Sequence, residues 1–98
     1  MMQVTIDHGA GTVTAEGHCG YAPAGADIVC AGASTLLDTY AKCLAESGQL
    51  AEDSVVDTGY VFLRDESCRS GSWLEFLVTG LQLLEEAYPY CVQVSIIS

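Results

Sequence analysis

Short alternating runs of apolar and polar residues near the start of the chain are typical of strands with one buried face. Residues 3–6 and 12–15 both alternate in this way, and the sequence Gly9-Ala10-Gly11 between them is a turn signal. This pattern predicts an N-terminal β-hairpin. Near the end of the chain, residues 92–96 alternate again and predict a last strand.

Two longer runs repeat apolar residues at helical spacing. The first predicts a helix over residues 28–47, with Asp27 as its N-cap and Gly48 as its stop. The second helix is predicted to open at a capping-box pattern of Ser72 and Glu75 and to end at Pro89. The predicted buried face of the first helix comprises Val29, Ala33, Leu36, Leu37, Tyr40 and Leu44.

The segment between the helices completes the pattern. Residues 54–57 and 60–64 are predicted strands around Thr58-Gly59, and residues 65–71 are a predicted polar loop. The element order is therefore ββαββαβ. It predicts an α+β fold, a single two-layer domain over residues 1–98 with two helices packed on a mixed sheet.

The second helix carries more apolar surface than one contact with a sheet requires. One stripe consists of Leu74, Leu77, Val78, Leu81, Leu84 and Tyr88, and a second beside it of Trp73, Phe76, Gly80, Leu83 and Ala87. The second stripe fits either packing on the first helix or a contact with a second subunit. For the second case, the candidate contacts are Trp73, Phe76 and Leu83.

The chain is strongly acidic, with 13 acidic side chains against 3 basic ones and a formal net charge of −10. This balance argues against a nucleic-acid partner, because phosphate contacts need clustered lysines and arginines. It favours a cationic partner, although acidity also serves plain solubility.

The remaining composition points to a cytoplasmic protein. No segment approaches the roughly 20 apolar residues of a membrane span, and no basic region followed by an apolar run opens the chain. We therefore expect no membrane partner. The 5 cysteines are odd in number and lack CxxC spacing, so neither a disulfide framework nor a zinc ribbon is indicated.

One cysteine and one histidine occupy positions suited to chemistry. Cys30 falls near the third position of the first predicted helix, where unpaired N–H groups and the helix dipole favour a thiolate. His18 ends the second predicted strand, and the loop between them contains Gly20, Pro23 and Gly25. Such a loop can return the strand end to the helix start, so that a nucleophile and its base lie together.

The residues around this pair resemble a known motif. Gly17-His18, Gly20-Tyr21-Ala22, Gly25, the run from Asp27 to Ala31, and Ser34 are similar to the defining motif of the ribosomal-processing cysteine protease family Prp. Gly80-Leu81 and Tyr88-Pro89-Tyr90 extend the likeness weakly over nearly the whole chain. The chain departs from the pattern at Cys19, where the family has a small and unreactive residue.

The resemblance implies an endopeptidase that needs no cofactor or metal, with Cys30 as nucleophile and His18 as general base. Its implied substrate is a basic ribosomal protein precursor, the twenty-seventh of the large subunit, which loses a short N-terminal extension. The family is dimeric, so a homodimer is expected. Asp27 and Ser34 match further motif positions. From the residues themselves, Asp27 is a cap, Ser34 lies one turn after Cys30, and Gly17 keeps the backbone open beside His18.

Several alternatives stay open at this point. His18, Cys19, Cys30 and His8 are potential zinc ligands, without a compact ligand pair. A dimeric adaptor that binds an extended peptide without cutting it is another class of function, and a homologous protease acting on viral capsid proteins carries the same dyad.

The loop over residues 19–26 leaves two further questions. Tyr21 is its only bulky side chain and is either a lid contact or a loose surface residue; we expect the loop to be the mobile part of the site. Cys19 is either an incidental replacement of a small residue or a partner for a reversible disulfide with Cys30.

Overall fold

The computed structural model describes residues 1–23, 25–67 and 71–97 of the chain. Its elements follow the predicted order and form a five-stranded mixed sheet with two helices packed on it. The strands are β1 (Met2–Asp7), β2 (Thr12–Glu16), β3 (Val55–Asp57), β4 (Tyr60–Arg64) and β5 (Val92–Ile97), and the helices are α1 (Ile28–Glu46) and α2 (Ser72–Ala87).

The sheet has the strand order β3-β4-β2-β1-β5, and all neighbours are antiparallel except the parallel pair β1 and β5. Side chains that alternate along each strand line up across this sheet. One apolar row runs through Val94, Val4, Ala15 and Val61. The next row runs through Ile96, Ile6, Val13 and Leu63. All members of these rows except the exposed Ile96 belong to the core or pack against it.

The first helix begins as the sequence predicts. The Asp27 carboxylate accepts a hydrogen bond from the Cys30 N–H and caps the helix, which ends at Glu46 with Ser47 as its C-cap. Gly48 follows with a φ of 71°, a conformation that favours glycine. The predicted buried face is confirmed except at Leu36, which is half-buried, and Ala41 joins it.

The capping-box prediction for the second helix is wrong. Ser72 is already the first helical residue, and the N-cap is Gly71, which has a φ of 54° and no side chain to bond the helix start. Glu75 lies in the first turn and offers a carboxylate to the helix dipole instead. The helix ends with Tyr88 as its C-cap, directly before Pro89, as predicted.

The two helices contact each other within the chain at a glycine. A Cβ at Gly80 would lie 2.9 Å from the Leu36 Cδ1 atom, so the absence of a side chain there permits the close approach. The second apolar stripe predicted for this helix, the outer stripe of α2, nevertheless keeps exposed side chains. Trp73, Phe76 and Leu83 expose 38%, 71% and 62% of their surface, respectively.

The polar loop predicted over residues 65–71 differs from the structure at its first residue. Asp65 is fully buried and forms an isolated β-bridge with Leu50. Its Oδ1 atom accepts hydrogen bonds from the Ser67 N–H and hydroxyl, which compensates part of the cost of burial. Cys68, also placed in that loop by the sequence, lies outside the described residues.

In the described part of the chain, neither helix has the length and apolar character needed to cross a membrane.

Candidate active site

His18 is positioned by the hairpin of β3 and β4. Just beyond β2, the Gly17 N–H donates a hydrogen bond to the Gly59 carbonyl oxygen at 2.9 Å, which extends the pairing of β2 with β4. The His18 ring then packs against the turn, since a Cβ at Gly59 would lie 3.1 Å from its Nε2 atom. The imidazole is exposed and lies at the rim of a cleft. Gly59 therefore sets how close the hairpin and the imidazole can approach.

Replacing Gly59 with alanine is expected to disturb the histidine. The new Cβ would press on the imidazole, and the φ of 78° disfavours alanine in any case. Gly48 has a similar φ of 71° with nothing within 4 Å of its Cβ position, so Gly48→Ala is the matched control for backbone strain alone.

With His18 as the general base predicted from the sequence, we expect Gly59→Ala to lower kcat/KM for peptide cleavage by between about tenfold and about a hundredfold, because small displacements of such a group are costly. Gly48→Ala is expected to lower stability without this loss. Equal activities of the two variants would contradict a role of Gly59 in placing His18.

Cys30 is held at the start of α1 by the carboxylate of Asp27. One carboxylate oxygen accepts the Cys30 N–H at 2.8 Å, and the other accepts the N–H groups of Tyr21 and Ala22 at 3.0 and 3.4 Å. These bonds, that of Cys30 foremost, hold the pKa of Asp27 below its ordinary value of 3.8. One side chain therefore joins the start of the helix to the loop that follows His18.

The lowered pKa of Asp27 predicts acid sensitivity. Because the folded-state pKa lies below the unfolded one, the stabilisation is present above pH 3.8 and is lost as the pH falls through the folded-state value. Asp53, whose pKa the Arg64 side chain lowers, contributes to the same branch. Asp27→Asn keeps a capping side chain but removes the titration.

Urea unfolding followed from about pH 5 to about pH 2.5 is expected to show a shallower acid branch for Asp27→Asn than for the wild type. Asp38→Asn, which removes a carboxylate from the same helix without removing a cap, is the control. An unchanged acid branch in Asp27→Asn would contradict the assigned role of this carboxylate.

His18 and Cys30 line the same cleft. It consists of two adjoining hollows of about 350 and about 600 Å³, and both are lined by His18, Cys30, Ser34 and Thr58. Ser34, one turn after Cys30, is half-buried between them. Among the described residues no hydrogen bond joins the imidazole to the thiol, so the two groups are neighbours across an open space.

The two hollows differ in chemistry. The first lies beside the β3–β4 hairpin and is lined by Asp38 and Asp57. The second lies under the loop after His18 and is more apolar, with Ala22, Ile28 and Ala31 in its lining. The cleft therefore has Asp38 and Asp57 in one hollow and, apart from Asp27, mostly small and apolar residues in the other.

Cys19 faces inward, away from the cleft. Its side chain is 2% exposed and belongs to the core, against which Cys30 packs. Burial, followed by the proximity of Cys30, raises the pKa of Cys19 to about 12. Cys19 thus keeps its proton. Cys19 directly follows His18 in the sequence. Consecutive residues of an extended chain point to opposite sides, so an exposed His18 is itself a signal that the Cys19 side chain points inward.

The loop after His18 has contacts that the sequence did not predict. The Tyr21 ring meets the Tyr88 ring edge-on, with centroids 5.4 Å apart and an interplanar angle of 77°. Together with the buried Cys19 and the bonds to Asp27, this contact ties the loop to the C-terminal end of α2. Tyr21 is thus a loop contact that remains 49% exposed.

Gly17 is required for a reason other than space beside the imidazole. A Cβ there would lie 2.6 Å from the carbonyl oxygen of Met1, and the φ of Gly17 is 89°.

Residues 1–23, 25–67 and 71–97 contain no group of three His, Cys, Asp or Glu side chains able to hold a metal ion. The zinc ligands considered from the sequence, His8 among them, do not form such a group.

A cysteine in the first turn of a helix and a histidine in the same cleft are groups that nucleophilic catalysis by a thiol can use. Residues 1–93 match the family model of the cysteine protease Prp, and the chain belongs to that family. A comparison with curated proteins found no significant match.

Solved structures share the fold. The essential ribosomal processing protease Prp from S. aureus, in complex with a covalently linked product peptide, is 26% identical with a TM-score of 0.86 over 98% of this chain and 99% of that one. SMU.848 from Streptococcus mutans is 27% identical with a TM-score of 0.75, covering 99% and 94%. A complex of the S. aureus protease with a substrate peptide has 24% identity, a TM-score of 0.80 and coverage of 98% and 99%, and shows the fold alone.

Proposed function

We propose that this chain is a cysteine endopeptidase that removes the N-terminal extension of a ribosomal protein precursor, the twenty-seventh protein of the large subunit, in the cytoplasm. The observation that carries the proposal is that Cys30 and His18 line the same two hollows. The product peptide linked covalently to the similar S. aureus protease supports it, because a covalent link is what nucleophilic catalysis produces.

In the proposed reaction, the Cys30 sulfur attacks the carbonyl carbon of the scissile peptide bond while His18 takes the thiol proton. The imidazolium returns this proton to the leaving amine, and a thioester to Cys30 remains. Water activated by His18 then hydrolyses the thioester and frees the cysteine. The Cys30 N–H is donated to Asp27 at 2.8 Å, so another donor has to stabilise the oxyanion.

The charges of the cleft agree with a basic substrate. Asp38 and Asp57 line the hollow beside the β3–β4 hairpin, which His18 also lines. The chain as a whole carries a formal net charge of −10, which attracts a cationic partner from a distance. We propose that the basic part of the precursor lies over these carboxylates and the apolar part lies in the hollow by Ile28.

The test incubates the purified full chain with the precursor protein of its own organism and maps new N-termini by mass spectrometry. A single new terminus that removes the extension supports the proposal. The Cys30→Ala protein and a precursor lacking its extension are the two controls. No cleavage by the wild type, with the precursor intact and both proteins folded, would overturn it.

The proposed enzyme is also expected to be a homodimer through the outer stripe of α2. Phe76 and Leu83 expose 71% and 62% of their surface, and a second copy would bury them. Light scattering at micromolar concentration should give twice the chain mass of 10.3 kDa, and a Phe76→Glu, Leu83→Glu double variant should give the chain mass.

Tyr90, which is 88% exposed outside this stripe, provides the control variant Tyr90→Glu, expected to remain a dimer. A wild-type monomer at these concentrations would contradict the prediction and leave the stripe exposed to solvent.

A further inference from the structure

Cys19 carries a thiol near the proposed dyad that the proposed reaction does not use. It is 2% exposed and lies in the core, while Cys30 packs against that core from the cleft side. The Asp27 carboxylate accepts the Cys30 N–H at 2.8 Å and the Tyr21 N–H at 3.0 Å, which holds the start of α1 against the segment that begins at Cys19. Cys30 is also among the groups that raise the pKa of Cys19, so the two side chains are close neighbours, and a disulfide requires their sulfur atoms to move into bonding distance.

Access to the two sulfur atoms is unequal. Cys30 lines both hollows of the cleft, whereas Cys19 lines neither. A small oxidant that enters the cleft therefore meets Cys30 first. Cys19, whose pKa burial raises to about 12, keeps its proton and is a poor first target. The pair thus has one sulfur that faces the cleft and one that is sheltered in the core.

The intervening chain permits the two sulfurs to approach. Gly20 and Gly25 both adopt positive φ, at 73° and 88°, and no atom lies within 4 Å of either Cβ position. These glycines give the segment from Cys19 to α1 freedom to adjust. Cys91 also interacts electrostatically with Cys19 and is the competing partner.

We propose that Cys19 is a resolving cysteine, which converts a peroxide-oxidised Cys30 into a Cys19–Cys30 disulfide and so preserves the nucleophile in a reversible form. This role rests on the proposed function, since Cys30 is worth protecting as the nucleophile of a protease. The site is a modification site for hydroperoxides, the class of oxidant that forms sulfenic acids from exposed thiols.

The chemistry balances in two steps. The Cys30 thiolate attacks one peroxide oxygen; the S–O bond forms, the O–O bond breaks, and hydroxide leaves and takes up the thiol proton as water. The Cys19 sulfur then attacks the sulfenic sulfur, the S–S bond forms, and the S–O oxygen leaves as a second water with the Cys19 proton. Two thiols lose two electrons to one hydrogen peroxide, and an external dithiol reverses the change.

The experiment treats the fully reduced wild-type chain with hydrogen peroxide at near-equimolar amounts. The chain is then alkylated in denaturant, digested without reductant, and mapped by mass spectrometry. We expect a peptide pair linked through Cys19 and Cys30, together with a loss of about 2 Da from the intact mass. Sulfinic acid at Cys30 with Cys19 alkylated would overturn the proposal, and so would a Cys19–Cys91 link with Cys30 free.

A variant pair tests the same step. In Cys19→Ala, Cys30 is expected to reach the sulfinic state about tenfold faster than in the wild type, while Cys91→Ala should behave as the wild type. Circular dichroism establishes that both variants fold, and the wild-type mapping needs no variant. Equal rates of sulfinic acid formation in Cys19→Ala and the wild type would also overturn the proposal.

These readouts do not depend on proteolysis. A chain that forms the disulfide but cleaves no precursor would contradict the proposed function and still support the resolving role of Cys19. A chain that cleaves its precursor without forming the disulfide would contradict only the resolving role of Cys19.

Discussion

Replacing Cys30 with alanine is expected to reduce cleavage of the precursor to less than about a hundredth of the wild-type rate, because the covalent route is lost with the sulfur. The cap of α1 uses the backbone N–H of Cys30 and not its side chain, so the variant should fold as the wild type does. The test measures cleavage rates of the wild type and of Cys30→Ala at saturating enzyme, and thermal unfolding of both shows whether the variant is folded.

Cys43 offers the matched control, since it is also a half-buried cysteine of α1 but lies outside both hollows of the cleft. Cys43→Ala should retain cleavage. If Cys30→Ala kept more than about a hundredth of the rate, nucleophilic catalysis by this residue would be untenable. Full function in Cys30→Ser would favour the other class considered from the sequence, a dimeric adaptor that binds a peptide without cutting it.

The elements of the fold were predictable because their signals are local. Alternation over residues 3–6 and 12–15 fixes which side chains of the hairpin face inward, and the structure aligns Val4 with Ala15 and Ile6 with Val13. Asp27 was predictable as a cap from its place before an apolar helical run, and Cys30 follows from it at a fixed distance. Local rules therefore placed the cysteine at the start of α1.

The rest depends on contacts between distant parts of the chain. The pairing of β2 with β4 brings Gly59 beside His18, and no pattern within either segment shows which strands will be neighbours. The contact of Tyr21 with Tyr88 likewise joins residues far apart in sequence. The error at Ser72 has a different cause, because the motif was present but the helix began one residue earlier than the cap requires.

The surroundings of His18 also show why the loop over residues 19–26 is better anchored than its composition suggests. Glycines and a proline predict mobility, but Asp27 accepts the N–H groups of Tyr21 and Ala22 and the Cys19 side chain enters the core. The loop therefore has fixed points at both ends. Movement that brings His18 toward Cys30 on substrate binding would then need only local changes at Gly20 and Gly25.

Replacing His18 with alanine is expected to lower the cleavage rate by between about a hundredfold and about ten-thousandfold, the usual contribution of a positioned acid and base. His8, the other histidine of the chain, follows the end of β1 and lines neither hollow, so His8→Ala is the matched control. The loss in His18→Ala should appear in kcat, because both proton transfers belong to the chemical steps.

Two further observations separate a base from a residue that only shapes the cleft. The imidazole is exposed at the cleft rim, so added imidazole should reach the space left in His18→Ala and restore part of the rate. Gly59→Ala should have no added effect on the rate in the His18→Ala background. The proposed effect of Gly59→Ala comes from its new Cβ pressing on the His18 ring, which would lie 3.1 Å away, and His18→Ala has no ring. Equal rates for His18→Ala and His8→Ala would remove His18 from the proposed mechanism.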